Sequence, residues 1–214
     1  MSYRVIEISR VLGPESACWP GDVPFHLEWT ARIAGGSSVN LSVFSGSPHV
    51  GTHADAPLHV RDGSPGIDEL EASPFLGPVR VLDVPAGPDG LIHPQALAGV
   101  DLHDPPRLCL RTGTDPDPRR WPGRFASLSP ETARLLVEEK VMLVGLDTPS
   151  VDPADSKDLP SHHCLLDGGV CWLENLDLSA APPGIYWLIA LPLRIRGADA
   201  GPVRAVLLEG PPFA

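Results

Sequence analysis

Apolar residues occur along most of the chain in short runs that end at glycine, serine or proline. These runs are rich in β-branched and aromatic residues, which favour strands because their side chains pack well on a pleated, half-buried surface. The pattern therefore indicates a structure built mainly from short strands. Eight runs predict strands, at 3–12, 25–33, 38–45, 77–85, 106–113, 140–147, 184–197 and 201–210.

Helical patterns are fewer than strand patterns. The clearest helix prediction covers 129–140, where Ser129 is a good N-cap residue and Pro130 fits the first helical position. Two further short helices are predicted. A polar, proline-rich segment between the predicted strands is expected to be a loop. These three segments are 93–100 and 162–169 for the helices and 112–125 for the loop.

The composition indicates a single domain of mixed class. The 214 residues include 26 prolines and 21 glycines, which favour many turns and short elements over long helices. Hydrophobic residues make up 43% of the chain, enough to bury a sizeable core. Because no internal repeat, heptad pattern or linker is seen, one α/β domain with more strand than helix is predicted over residues 1–214.

Charge and cysteine usage restrict the partners and the compartment. A formal net charge of -11 repels phosphate backbones and anionic lipids, so nucleic acid and membrane partners are not expected, whereas a small polar substrate is compatible. The N-terminal residues lack the pattern of a signal peptide, and no run of about 18 apolar residues predicts a membrane span. None of the four cysteines forms a Cys-x-x-Cys pair, so free thiols in a reducing cytoplasm are expected.

The segment "SPHVGTHADAPLHV" at 47–60 places three histidines and one aspartate within eleven positions. In a straight strand His49 and His53 would stand about 13 Å apart, too far to grip one ion. The glycine and two prolines of the segment argue against an uninterrupted helix. We therefore expect a strand that ends near His49, a turn at Gly51, and a loop that folds His53 and Asp55 back toward His49.

Imidazole and carboxylate groups at this density predict a metal site. The donor set suits zinc, manganese or iron(II), with zinc as the first choice. The alternative is a set of unrelated surface or core histidines, which would be the better interpretation for a lone histidine. Here the interleaved Asp55 and the third histidine, His59, favour the metal.

A second stretch, "SHHCLLDGGVCWLENLDLS" at 161–179, offers further ligands. Glu174 follows an apolar run, where an unpaired buried carboxylate would be unfavourable unless a cation compensated it; a carboxylate exposed at a strand end is the alternative. Adjacent residues cannot easily aim at one ion, so only one of His162 and His163 is expected to bind. The neighbouring cysteines, Cys164 and Cys171, are expected to be packing residues.

At this point the sequence resembles a known family. "HVGTHADAPLH" at 49–59 resembles the His-x-Gly-Thr-His-x-Asp-x-Pro-x-His signature of the cyclase-like metal-dependent amidohydrolases, and the flanking segments resemble those of its bacterial arylformamidase branch. The resemblance covers nearly the full length and implies a compact α/β domain with β/β/α layers, usually a homodimer. The flanking segments are 18–22, 145–153, 158–163 and 173–178.

The resemblance also implies roles for individual residues. It implies two zinc ions per chain, the first bound by His49 and His53 and the second by His162. Asp55 would bridge the two ions, and Glu174 would bridge or share them. The remaining residues would serve the substrate, with His59 as proton donor and acceptor and Trp19 in the wall of the substrate pocket; an ordinary buried tryptophan is the alternative for Trp19.

The activity implied is hydrolysis of N-formyl-L-kynurenine to L-kynurenine and formate by a metal-bound hydroxide, with a histidine that moves the proton. A second possibility is a cyclic-amide hydrolase of the isatin type from the same family. A third, from another class, is a zinc-stabilised binding module without enzyme activity. A serine hydrolase is disfavoured because the chain has no Gly-x-Ser-x-Gly motif.

Overall fold

The computed structural model describes residues 4–114 and 117–210. In these residues strands outnumber helices, as the composition predicts. The strands are β1 (Arg4–Glu7), β2 (His26–Ala31), β3 (Leu41–Ser45), β4 (His53–Asp55), β5 (Leu76–Asp83), β6 (Leu91–Ile92), β7 (Arg107–Arg111), β8 (Ser127–Leu128), β9 (Leu143–Leu146), β10 (Cys171–Glu174), β11 (Gly184–Ile189), β12 (Ala200–Pro202) and β13 (Val206–Glu209). The α-helices are α1 (Pro130–Glu138) and α2 (Pro160–Asp167).

One nine-stranded sheet organises the chain, in the strand order β1-β13-β11-β5-β7-β9-β10-β4-β12. The pairs from β5 through β7 and β9 to β10 are parallel, and the pairs on both flanks are antiparallel. Helix α1 lies in the connection from β7 to β9, and α2 lies in the connection from β9 to β10. Parallel neighbours require such crossover connections, so the helices follow from the parallel centre of the sheet.

Each face of the sheet carries its own apolar core. Along β7, Leu108 and Leu110 belong to one core and Cys109 to the other, because successive side chains of a strand point to opposite faces. The first core also contains residues of both helices, among them Leu136 and Leu165. The sheet is thus buried on both sides, which is the expected environment for parallel strands.

The predicted helices are found, with one change of type. Ser129 caps α1 as predicted, since its hydroxyl accepts a hydrogen bond of 3.2 Å from the backbone N–H of Thr132. Helix α2 covers residues 162–167 of the helix predicted at 162–169. The segment predicted as a helix at 93–100 forms only a short 3-10 helix, Pro94–Leu97. Residues 115 and 116 of the predicted loop lie outside the described residues.

Several strands differ in extent from the predictions. The run at 184–197 is a strand only as far as Ile189, and Pro192 stands three residues beyond that end, where proline cannot donate a ladder hydrogen bond. The run at 201–210 is divided between the end of β12 and β13. Strands β4 and β10 were not predicted, because they are only 3 and 4 residues long and carry polar side chains. These short strands are the ones that hold the site.

The β2–β3 hairpin forms a separate two-stranded sheet. Nearly all of its residues are exposed, and they include the large apolar side chains of Leu27, Trp29 and Phe44. No helix within the described residues is long and apolar enough to cross a membrane.

Candidate metal centre and active-site cavity

Strands β4 and β10 point three acidic and basic side chains toward the same side of the sheet. The two strands are antiparallel, with Glu174 opposite His53. Because residues two apart on a strand share a face, Asp55 lies on the same face as His53. All three side chains are buried, with only 1–3% of each residue exposed. This geometry corrects one expectation, since His53 and Asp55 belong to a paired strand and not to a loop.

The chain before β4 returns His49 to the same place. Gly51 has φ 74°, a left-handed conformation that glycine adopts without strain, and the predicted turn is therefore found there. As a result Nδ1 of His49 lies 3.2 Å from Nε2 of His53 and 3.1 Å from Oδ1 of Asp55.

Helix α2 supplies a third histidine from the opposite side. Nε2 of His162 lies 3.7 Å from Oδ2 of Asp55 and 3.6 Å from Oε1 of Glu174. His162 is 2% exposed. Of the two adjacent histidines in the sequence, His162 is the one that makes these contacts.

The three histidines share one arrangement. In each, the ring nitrogen that faces away from the cluster lies within hydrogen-bond distance of an oxygen, which leaves the other nitrogen directed into the cluster. Histidines that bind metals have this arrangement, because the outer hydrogen bond fixes the tautomer and the ring orientation. The outer contacts are His53 Nδ1 to Gly51 O at 2.9 Å, His162 Nδ1 to Asp152 Oδ2 at 2.7 Å, and His49 Nε2 to Asp199 Oδ2 at 3.0 Å.

Each of the two carboxylates has one oxygen on the side of His49 and His53 and the other oxygen on the side of His162. Oδ1 of Asp55 lies beside His49 and His53, whereas Oδ2 lies toward His162 and accepts a 2.9 Å hydrogen bond from Nε1 of Trp172. Glu174 likewise has Oε2 3.4 Å from Nε2 of His53 and Oε1 toward His162. This is the arrangement expected of carboxylates that bridge two positions.

The environment of Asp55 Oδ1 indicates whether these residues can hold a metal ion. The oxygen is fully buried, and although Nδ1 of His49 lies 3.1 Å away, no group of the described residues meets it in hydrogen-bond geometry. An unsatisfied buried oxygen is unfavourable unless a cation or another donor meets it. Ligand atoms of His53, Asp55 and Glu174 lie within 4.8 Å of one another, which is close enough for one ion to contact all three. The donor set therefore fits a divalent cation.

The electrostatics of the cluster show that its histidines and carboxylates stabilise one another's charged forms. Burial alone lowers the pKa of a histidine and raises that of a carboxyl group. Here the mutual contacts outweigh burial, so the pKa of His53 rises to about 10 and the pKa of Asp55 falls well below its ordinary value. The pKa of His162 is likewise raised and that of Glu174 lowered. The buried carboxylates require positive charge beside them, which imidazolium protons or a cation can supply.

His59 lies next to the cluster in a different environment. It ends a short 3-10 helix, Pro57–His59, and its ring lies 4.3 Å from that of His49, measured between centroids. Its side chain is 30% exposed, whereas that of His53 is 1% exposed. His59 also falls within a second group of potential ligands with His49 and Asp55, so a ligand role is geometrically possible.

A cavity of about 290 Å³ opens above the cluster. His49, His53, His162 and Glu174 line it together with His59. Trp19 lies in its wall, and its ring packs edge-on against that of Trp121 at 4.9 Å between centroids. The cavity thus combines an aromatic wall with a charged cluster, a combination typical of small-molecule sites.

A family model named Cyclase matches residues 6–153. The chain belongs to the cyclase family. A curated relative from Salinibacter ruber, named kynurenine formamidase, is 47% identical over 210 residues, which cover 97% of this chain and 98% of the relative. The family membership inferred from the signature is therefore confirmed.

Solved structures share the fold of this cyclase-family chain. One, described as a potential metal-dependent hydrolase with cyclase activity, superimposes with a TM-score of 0.84 and 22% identity, covering 99% of this chain and 100% of that one. Isatin hydrolase A from Labrenzia aggregata superimposes with a TM-score of 0.78 and 24% identity, covering 96% and 93% respectively. These likenesses confirm the predicted α/β fold class.

Three residues around the cyclase-family site were not predicted as part of it. Asp152, Trp172 and Asp199 hold His162, Asp55 and His49 respectively. Asp152 could have been suspected, because it lies in the family-like segment 145–153. No sequence signal indicates Asp199, which lies 150 positions from His49.

The cysteines near the site are packing residues, as predicted. Cys164 packs against the core on the helix side of the sheet, and Cys171 packs against the core on the other side. Burial raises the pKa of the Cys171 thiol to about 11.

Proposed function

We propose that this protein is a kynurenine formamidase that hydrolyses N-formyl-L-kynurenine to L-kynurenine and formate. The observation that carries the proposal is the 47% identity to the Salinibacter ruber relative over nearly the whole of both chains. The buried cluster of histidines and carboxylates at the base of the cavity supports a hydrolytic role. The proposal covers the whole chain, residues 1–214, as one hydrolase domain.

The proposed cofactor is zinc, with two ions per chain. His49 and His53 would hold the first ion and His162 the second, while Asp55 and Glu174 would face both. When bound, zinc supplies Lewis acidity, which polarises a carbonyl group and lowers the pKa of water toward neutrality. The opposed oxygens of the two carboxylates support the count of two.

In the proposed reaction His59 moves the proton. Hydrolysis of a formamide requires that the attacking water lose a proton and that the departing amine gain one as the C–N bond breaks. Nδ1 of His59 lies 3.5 Å from Oδ2 of Asp199, so Nε2 is the atom available to take the proton and return it. The partial exposure of His59 within the cavity supports this role.

The cavity wall supports an aromatic amino acid as the substrate. Trp19 and Trp121 present ring edges and faces against which an aryl group can pack. Arg120 and Asp22 also line the cavity and carry opposite charges. Such a pair suits the carboxylate and ammonium groups of an amino acid, which isatin lacks.

The proposal includes a cytoplasmic homodimer. The four cysteines are free, which accords with a reducing compartment. The exposed apolar β2–β3 hairpin supports a second copy as its partner, because an isolated hairpin is at best marginally stable in water. Light scattering coupled to size-exclusion chromatography should give twice the 22.8 kDa chain mass. A Trp29→Ser, Phe44→Ser variant should shift toward the monomer, and a parent protein that runs as a monomer would contradict this part.

An absorbance assay tests the proposed activity. Zinc-loaded protein is given N-formyl-L-kynurenine or isatin, and kcat/KM is measured for each. We expect the formamide to be preferred by at least roughly tenfold, a difference of about 1.4 kcal/mol in transition-state binding. The opposite ranking would identify an isatin-type hydrolase, and activity on neither substrate would contradict the proposal.

A further inference from the structure

Asp199 contacts two histidines of the site through a single oxygen. Its Oδ2 lies 3.0 Å from Nε2 of His49 and 3.5 Å from Nδ1 of His59. A carboxylate oxygen has two lone pairs, so one oxygen can accept from both rings. The two rings are themselves neighbours, tilted by 44°.

The backbone holds Asp199 at this point. Asp199 immediately precedes β12, whose first residue, Ala200, lies opposite Asp55. The carbonyl oxygen of Asp199 accepts a 2.8 Å hydrogen bond from the N–H of Ala56. Ala56 in turn precedes the 3-10 helix that carries His59. Asp199 therefore joins the turn through its backbone, while its side chain lies within ion-pair distance of the His59 ring.

Asp199 lies beside the two rings and outside the lining of the main cavity. His49 and His59 line the main cavity, and both also line a second depression that includes Asp199. The carboxylate is thus placed to act on the rings. Asp199 itself does not line the main cavity.

We infer that Asp199 is a positioning residue that orients His59 and His49 together and fixes the tautomer of each ring. As acceptor it places the proton of His59 on Nδ1 and the proton of His49 on Nε2. Nε2 of His59 then faces the cavity as an acceptor, and Nδ1 of His49 faces the metal cluster. Hydrogen bonds of this outer kind typically change activity or metal affinity by about 10–100-fold.

The expected change in kcat rests on the proposed function of His59 as proton carrier. The expected tautomers rest only on the contacts of Asp199 with the two rings. The test compares Asp199→Asn with Asp89→Asn in the zinc-loaded protein. Asp89 is a matched control because it contacts His93 at 3.0 Å in the same type of pair, away from the cavity. Long-range 1H–15N NMR reports the ring tautomers, and kcat, KM and zinc content are measured on the same samples.

In Asp199→Asn we expect kcat to fall by roughly 10–100-fold with KM within about threefold, zinc retained, and the Nδ1–H form of His59 no longer dominant. The control should match the parent in every readout. An unchanged His59 tautomer, or kcat within about twofold of the parent, would overturn the inference. Zinc loss that accounts for the fall in kcat would also overturn it, because Asp199 would then serve His49 alone. The tautomer result stands whether or not N-formyl-L-kynurenine is the substrate.

Discussion

At the scale of single residues, the function of each histidine depends on what its outer nitrogen contacts and on how deeply its ring is buried. His53 and His162 are held by a carbonyl oxygen and by the Asp152 carboxylate, and their side chains are almost fully buried. His59 has a more distant acceptor and a ring that reaches the cavity. A buried, fixed ring suits a ligand, whereas a proton carrier needs access to substrate and solvent.

The first prediction concerns His59. We expect His59→Ala to keep both zinc ions and the fold while kcat falls by about 10²–10⁴-fold, the usual share of general acid–base catalysis. Zinc content and rate should be measured on the same sample. His93→Ala is the control, since His93 is an exposed histidine paired with Asp89 away from the cavity. If the variant loses zinc as well as activity, His59 is a metal ligand. If kcat stays close to the parental value, His59 takes no part in catalysis.

The second prediction compares two residues of the cluster. Asp55 has one oxygen beside His53 and the other toward His162, so it faces both proposed ion positions. His162 has a single nitrogen directed into the cluster and faces one position only. Asp55→Ala should therefore lose more zinc than His162→Ala, which should keep one of the two ions. Elemental analysis after equal zinc loading decides the comparison, and full occupancy in Asp55→Ala would contradict the bridging role.

At the scale of elements, much of the scaffold could be predicted from the sequence because its signals are local. The α1 cap, the turn at Gly51 and the long apolar strands all depend on residues near one another. The short strands β4 and β10 were not predicted, because, unlike the equally short β1, β9 and β13, they do not lie within a longer apolar run. The signature therefore indicated His49, His53 and Asp55, which the structure brings together, while the strand that holds His53 and Asp55 was missed.

The same reasoning explains which site residues escaped prediction. Asp199 contacts His49 across 150 positions, because β12 pairs with β4. Trp172 contacts Asp55 across 117 positions, because β10 pairs with β4. Trp172 lies in the segment 161–179 that offers predicted ligands, but no signal indicates that its indole contacts Asp55, and nothing in the residues beside Asp199 marks a metal site. Glu174 is about as far from the signature in sequence as Trp172 is. It could still be predicted, because a carboxylate directly after an apolar run indicates a buried charge that needs a partner.

A third prediction belongs to helix α1. Ser129 is fully buried and its hydroxyl satisfies the N–H of Thr132. Ser129→Ala should lower the free energy of unfolding by about 1 kcal/mol, the usual effect of losing an N-cap, with kcat unchanged because α1 does not line the cavity. Urea denaturation measures the first and the formamide assay the second. Ser38→Ala, at an exposed serine, is the control, and an equal small effect in both variants would contradict the capping role.

At the scale of the whole molecule, the fold does not depend on the cluster for its apolar core. The two cores lie on opposite faces of the sheet and contain many fully buried aliphatic side chains, such as Leu143 and Leu146. The cluster is built on β4, from His53 to Asp55, and on the last residue of β10, Glu174. A structural zinc site normally replaces a core in a small domain, and this chain has no such need.

The last prediction follows from that independence and separates an enzyme from a zinc-stabilised binding module. Removal of zinc by a chelator should abolish hydrolysis while the far-UV circular dichroism and a cooperative thermal transition remain. The transition temperature should fall, because ligands that bind the native state stabilise it by mass action, and because cation loss leaves buried carboxylates to be met by imidazolium protons alone. Adding zinc back should restore activity and the higher transition temperature together. Loss of the cooperative transition at the same chelator concentration that removes activity would show that the metal holds the fold, and the binding-module interpretation would then replace the enzyme.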